Sequence, residues 1–211
     1  MMIKKKSAHA DQRIPAVRLM GKHETGYERS PRDFYPTPAW VVDALGKHLG
    51  LDGLTVWEPA CGDGRMVRAL KGRGAKVICT DIARRSASIR RLDFLKGAVV
   101  ACDMIITNPP FGPRGKLATA FIETGLHHIT CQRAHTLALL LPADFDSAKT
   151  RTHLFGDCQW FYAKIVLTKR VVWFERTDGV REAPKENSAW FVWRNPIPWP
   201  GRGLRLLLYA P

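Results

Sequence analysis

Apolar residues recur along this chain in two alternating rhythms. In "PTPAWVVDALGKHLG", Trp40, Val41, Ala44, Leu45 and Leu49 fall on one face at helical spacing, which predicts a helix with Thr37 as its N-cap and Pro38 in the first helical position. "LTVWE" then reads as a short buried strand, "PACGDG" breaks it, and "RMVRALKGRG" resumes the helical spacing through Met66, Val67 and Leu70. "AKVICTD" and "CDMIITNPP" read as further strands, "KLATAFIETGLHHI" as a helix and "AHTLALLLP" as a strand. Past Pro142, "FYAKIVLTKRVVWF" and "AWFVW" read as two strands around the polar "ERTDGVREAPKENS". The closing "NPIPWPGRGLRLLLYAP" holds a Pro/Gly link and one more strand-like run.

Strands alternating with helices of about ten to fifteen residues argue for βαβ units, and right-handed crossovers place their helices on both faces of the sheet. The predicted fold is therefore α/β: a Rossmann-like, doubly wound, mostly parallel seven-stranded sheet with a C-terminal antiparallel hairpin. Ligands of such sheets sit at the carboxyl ends of the strands. "EPACGDG", "TD" and "TNPPF" are all strand exits, so they should converge on one rim.

Length and charge narrow the reading. The 211 residues suit one well-buried domain with extensions: a basic flexible arm over 1–33, a catalytic domain over 34–195 and a C-terminal extension over 196–211 that packs on or near the core. A net charge of +14 favours a polyanionic partner. Five scattered cysteines without a C-x-x-C pair indicate neither a disulfide framework nor a metal site, and fit a cytoplasmic location. The basic N-terminus lacks a continuous apolar segment and no run of about 18 apolar residues occurs, so neither a standard export signal nor a membrane partner is expected.

The chemistry begins at "VWEPACGDG". Gly62 and Gly64 allow a tight turn and close backbone approach to a ligand. The acids Glu58 and Asp63 would repel a pyrophosphate and suit a cationic ligand. Asp81 ends the next strand about twenty residues further on, the offset at which an acid meets ribose hydroxyls. A nucleoside with a positive appendage fits, and S-adenosyl-L-methionine meets that description.

At this point the chain resembles the class I S-adenosylmethionine-dependent methyltransferases, and within them the amino-methylating group that carries a D/N-P-P-Y/F motif. The resemblance runs from about Phe34 to Trp193. It implies that Glu58, Pro59, Ala60, Cys61, Gly62, Asp63 and Gly64 form the loop for the methionine moiety. Asp81, followed by Ile82, would be the ribose acid, and Asp93 and Phe94 would bracket the adenine. "FYPTP", with Tyr35, Pro36, Thr37 and Pro38, is similar to the segment that closes over the cofactor in adenine-N6 enzymes.

"NPPF" supplies the transfer half. An exocyclic amine is a poor nucleophile because its lone pair is delocalised into the ring, and acceptors aimed at its N–H bonds free that lone pair and stabilise the developing positive charge. Asn108 offers a side-chain carbonyl, and Pro109 a backbone carbonyl with no N–H to compete. Pro110 helps to fix the backbone, and Phe111 can stack on a base. Asn108, positioned between the two halves, is also expected to touch the cofactor.

The leading expectation is methyl transfer to the N6 amine of adenine in DNA, with the target base flipped or single-stranded. RNA adenine or guanine amines, protein glutamine and an inert nucleic-acid-binding role remain as alternatives. The arginines 84, 85, 90 and 91, Arg114 with Lys116, and Lys164, Lys169, Arg170, Arg176 and Arg181 are the candidate phosphate contacts. Trp173 or Phe174 is the candidate late aromatic for the base, and His127 and His128 read as structural or solvent-facing. The chain is similar to small phage and prophage enzymes of this plan. It resembles the gamma arrangement without a separate recognition domain, so specificity is expected to be low, built from short loops, or provided by a protein partner. The sequence does not fix an oligomeric state.

Overall fold

A computed structural model of the chain describes residues 35–83, 89–173 and 186–195, and the backbone of 206–210. The arm at 1–33, Tyr27, Arg84, Arg85, Phe174, Arg176 and Arg181 lie outside the described residues.

Among the described residues there are three α-helices: α1 (Ala39–Gly46), α2 (Arg65–Gly72) and α3 (Lys116–Thr130). Eight strands make one sheet: β1 (Thr55–Glu58), β2 (Lys76–Asp81), β3 (Arg90–Arg91), β4 (Met104–Thr107), β5 (Thr136–Pro142), β6 (Phe161–Leu167), β7 (Ser188–Arg194) and β8 (Leu206–Ala210), in the order β3-β2-β1-β4-β5-β7-β6-β8. The first five strands are parallel neighbours. β7 runs antiparallel between β5 and β6, so the β6–β7 pair is the expected hairpin. β8 adds an edge parallel to β6, and β3 is a two-residue edge that the sequence pattern does not announce.

Strand alternation sorts side chains between two cores. Met104 and Ile106 of β4, with Ala138 and Leu140 of β5, meet Val41, Leu45, Met66 and Leu70 from α1 and α2. Ile105, Leu137, Leu139 and Leu141 meet Ala118, Phe121 and Ile122 of α3 on the other face. Trp190 and Trp193 are fully buried in β7, and each spends its one donor: Trp190 Nε1 on the Val41 carbonyl at 2.9 Å and Trp193 Nε1 on the Leu154 carbonyl at 2.7 Å. They are sheet core, as the alternation of "AWFVW" predicts.

The start of α1 differs from the expectation. Pro38, not Thr37, is the N-cap, with φ −64 and ψ 149, and no side chain caps the helix. The Pro38 carbonyl accepts from Val41 N at 3.1 Å. Thr37, 4 % exposed, is drawn to a different partner at the site.

Candidate functional site

Strand exits converge on a cavity of about 910 Å³. Of the residues singled out in the sequence, Tyr35, Pro36, Thr37, Glu58, Pro59, Ala60, Cys61, Gly62, Asp63, Asp81, Ile82, Asp93, Phe94, Asn108 and Pro110 line it. Pro38, Gly64, Pro109 and Phe111 adjoin these in sequence without forming its wall.

β1 ends at Glu58, and the chain turns through Gly62 and Gly64, whose φ values of 55 and 77 are left-handed and suit residues without a Cβ. Cys61 N donates to the Thr80 carbonyl at 3.1 Å and Gly64 N to the Cys61 carbonyl at 2.8 Å. Asp81 completes the brace: one carboxylate oxygen accepts from Gly62 N at 2.9 Å and the other from Ala83 N at 2.7 Å. The strand-end acid therefore shapes the glycine turn. Each of its oxygens keeps a second lone pair for a ligand hydroxyl.

Glu58 is 1 % exposed and accepts from Ala60 N at 3.2 Å. Burial pushes its carboxyl up to about 8; the Asp81 carboxylate adds to the rise, while the hydrogen bond from Ala60 opposes it. Burial, reinforced by Glu58, also raises the Cys61 thiol far above its ordinary range, so it is no thiolate nucleophile. Asp63 is partly engaged, its carboxylate 2.9 Å from Arg65 Nε. Asp93 caps the 3₁₀ turn Phe94–Lys96 by accepting from Leu95 N at 3.1 Å.

The Phe94 ring is 2 % exposed and packs inward, 5.1 Å from Trp57, 4.9 Å from Phe121 and 5.8 Å from His128. His128 is thus a core residue, its imidazole held neutral chiefly by burial, whereas His127 faces solvent.

β4 delivers Asn108 to the opposite wall. Its Nδ2 donates to the Tyr35 carbonyl and to Thr37 Oγ1, each at 3.1 Å, which fixes which end of the amide is which. Asn108 Oδ1 is left buried with no hydrogen-bond partner. Behind it, the Phe111 carbonyl accepts from Leu117 N at 3.1 Å and Ala118 N at 3.3 Å, so the motif is pinned to the start of α3. Tyr35 stacks on Phe111 at 6.2 Å and meets Trp173 edge-on at 5.6 Å. Trp173 therefore joins Tyr35 and Phe111 in a ring cluster and packs against the core.

Sequence reasoning missed Arg91, Gly112, Pro113, Leu117 and Phe121 as lining residues. Arg91 sits on the two-residue β3, and Gly112 and Pro113 follow "NPPF" directly, which was the available signal. Among the predicted basic contacts, Lys164 is bound by both Asp146 oxygens at 2.9 Å, and Lys169 lies 5.3 Å from the Trp40 ring.

This fold is that of the class I S-adenosylmethionine-dependent methyltransferases. In structure, the chain is similar to a candidate RNA methyltransferase from Pyrococcus horikoshii, at 16% identity and a TM-score of 0.55 over 80% of this chain and 91% of that one. It is also similar to a candidate class I S-adenosylmethionine-dependent methyltransferase from Listeria monocytogenes, at 13% identity and 0.52 over 81% and 62%. A dimethyladenosine transferase from Plasmodium falciparum matches at 16% identity and 0.53 over 76% and 63%. In sequence, a stretch of 57 residues is 39% identical to a ubiquinone biosynthesis O-methyltransferase from Leptothrix cholodnii; it covers 27% of this chain and 23% of that protein. No protein-family model matches the chain. Among the described residues no helix is long and apolar enough to cross a membrane.

Proposed function

We propose that this chain is an S-adenosylmethionine-dependent methyltransferase that methylates the exocyclic N6 amine of adenine in DNA. The observation that carries the proposal is the Asn108 side chain: the residue lines the cavity, its nitrogen is doubly engaged and its oxygen is buried with no hydrogen-bond partner. Such an orphan is costly unless a ligand donor completes it.

The donor set fits the cofactor. Glu58 and Asp81 would face its cationic and hydroxyl groups, the Cys61–Gly64 turn its amino-acid end, and Asp93 with the wall around Phe94 its base. S-adenosylmethionine supplies an electrophilic methyl carbon on a sulfonium. The chain's own residues do the rest. Asn108 Oδ1 accepts one N–H of the target amine and the Pro109 carbonyl the other, which pulls the nitrogen lone pair out of conjugation. Phe111 and Tyr35 orient the flat base. The lone pair would form the new C–N bond as the methyl C–S bond breaks and sulfur leaves as a neutral thioether, and the proton would then pass from the cationic nitrogen to solvent, so no strong base is needed.

The segment "FYPTP" favours DNA adenine, because it is similar to the closing segment of adenine-N6 enzymes and its Tyr35 and Thr37 are tied to Asn108. An RNA amine is the second reading, favoured by the likeness to the RNA methyltransferase and the dimethyladenosine transferase. We place the reaction in the cytoplasm, with sequence specificity lent by a protein partner.

Transfer of labelled methyl from S-adenosylmethionine to duplex DNA, single-stranded DNA, RNA and protein extract, with nucleoside analysis, tests this. N6-methyladenine in DNA is expected, and label confined to RNA or protein would overturn the substrate. Asn108→Ala should lower the rate at least ~100-fold, as loss of one such acceptor or donor does elsewhere.

A further inference from the structure

Most candidate phosphate contacts named in the sequence prove to be engaged or undescribed, but one cluster is not accounted for by packing. Gly112 and Pro113 line the cavity immediately after the motif. Arg114 and Lys116 follow, both exposed. The 3₁₀ segment Lys149–Leu154 is bound to this turn by Arg151, which comes from 37 residues away. Arg151 Nη2 donates to the Arg114 carbonyl at 2.9 Å and Nη1 to the Phe145 carbonyl at 2.9 Å, while its guanidinium lies 3.7 Å over the Phe145 ring. Lys149, which opens the segment that Arg151 ties to the turn, is also exposed.

We propose that the turn Gly112–Gly115 and the segment Lys149–Leu154, joined by Arg151, form a phosphate-binding ledge that holds the nucleic-acid backbone next to the methylated base. This rests on the nucleic-acid reading of the site. Two local features oppose the intrinsic preferences of the chain and are explained by an anion. Arg114 has φ 54 and ψ 26, a left-handed conformation where Gly or Asn would be relaxed and a long cationic side chain is strained; such strain gathers at functional positions. Lys116 opens α3, whose first turn carries no acid, so its charge sits at the positive end of the helix dipole, where a cation is disfavoured and an anion welcome.

The neighbouring acids do not cancel the ledge. Asp146 is neutralised by Lys164 at 2.9 Å. Glu123, 3.8 Å from the His153 imidazole, and Asp144, near the partly buried Arg151 guanidinium, remain against three exposed cations. Among the described residues of the late hairpin, Lys169 lies over Trp40 and Arg170 Nε donates to Asn187 Oδ1 at 3.1 Å. Arg151 itself is a positioning residue, its guanidinium spent on two carbonyls and a ring.

The test compares the full chain with Arg114→Gly and with the triple variant Arg114→Gly/Lys116→Gln/Lys149→Gln. Binding of a labelled single-stranded and a duplex oligonucleotide is measured between about 50 and 200 mM salt, with S-adenosylhomocysteine binding and thermal melting in parallel. The triple variant should bind nucleic acid about tenfold or more weakly at low salt, with a log Kd against log salt slope flatter by about two to three and an unchanged S-adenosylhomocysteine affinity. Arg114→Gly alone should weaken nucleic acid while melting no lower than the parent, because glycine relieves the strain; a purely structural role would lower the melting temperature.

Unchanged affinity and slope in a protein that still methylates nucleic acid would overturn the ledge and leave the site reading intact. A parent chain that binds no oligonucleotide but methylates protein would overturn both.

Discussion

Asn108 and Glu58 illustrate how a single residue's surroundings decide its chemistry. Asn108 is held through its nitrogen while its oxygen stays buried with no hydrogen-bond partner, and Glu58 is a buried carboxyl whose pKa burial raises. A cationic cofactor favours the ionised carboxyl, so binding should release a proton. Affinity for S-adenosylmethionine should therefore climb as pH rises toward 8 and level off above it. Glu58→Gln should lose that dependence, which calorimetry on both proteins between pH 6 and 9 would show; parallel curves would sink the assignment.

The stability effect of Glu58 in the unliganded protein follows from the same raised pKa. A folded value of about 8 against 4.5 means that its contribution is fully present below pH 4.5 and is lost as pH rises through 8. The unliganded parent should thus melt progressively lower than Glu58→Gln as pH rises across that window. Sequence reading reached both residues, Glu58 from its place before a glycine turn and Asn108 from the motif. It assigned Thr37 to a helix cap, because a Thr before Pro reads as a local signal, and its partner lies 71 residues away.

Packing within and between elements sets the next constraint. Gly125, in the middle of α3, has no positive φ to explain it; a Cβ there would sit 2.5 Å from Leu137 Cδ2, and Leu137 is fully buried in β5. The glycine lets α3 approach the sheet that carries Asn108's strand. Gly125→Ala gains about 1 kcal/mol of helix propensity but overpacks a closed site at about 1–3 kcal/mol. A net loss of about 1 kcal/mol should lower the melting temperature by roughly 2–4 °C, and a rise would show that the interface can give.

Elements with strong periodicity were readable in advance: α2 buries Met66, Val67 and Leu70 as spaced, and β5 and β7 are the apolar runs "TLALLLP" and "SAWFVWR". β3 was not readable, because two exposed arginines paired to Thr80 and Asp81 carry no pattern at all. The role of Arg151 was equally hidden, since it depends on a carbonyl far off in the chain.

At the scale of the whole molecule, the parallel half of the sheet brings the ends of β1, β2 and β4 to one rim, and the crossover rule predicted that convergence. The edge pairing of β8 with β6 lay beyond it, because an apolar run does not name its neighbour. Trp190 ties the late antiparallel part to the first helix through the Val41 carbonyl. Trp190→Phe removes that buried bond and should cost about 1–3 kcal/mol, read by denaturant unfolding, while leaving cofactor affinity in place. A loss of cofactor affinity would mean that α1 is held in position by this bond alone.

The two hydrogen bonds that the Asn108 nitrogen donates to the Tyr35 carbonyl and Thr37 Oγ1 make one amide the latch for a cavity wall and, on the proposed reading, the sight for the reacting amine. Under the proposed reaction, any opening of the Tyr35–Thr37 wall to exchange spent cofactor for fresh must release that amide, and a released amide swivels. The molecule cannot then be open and aimed at once: each exchange disarms it, and only a closed, reloaded site regains its aim.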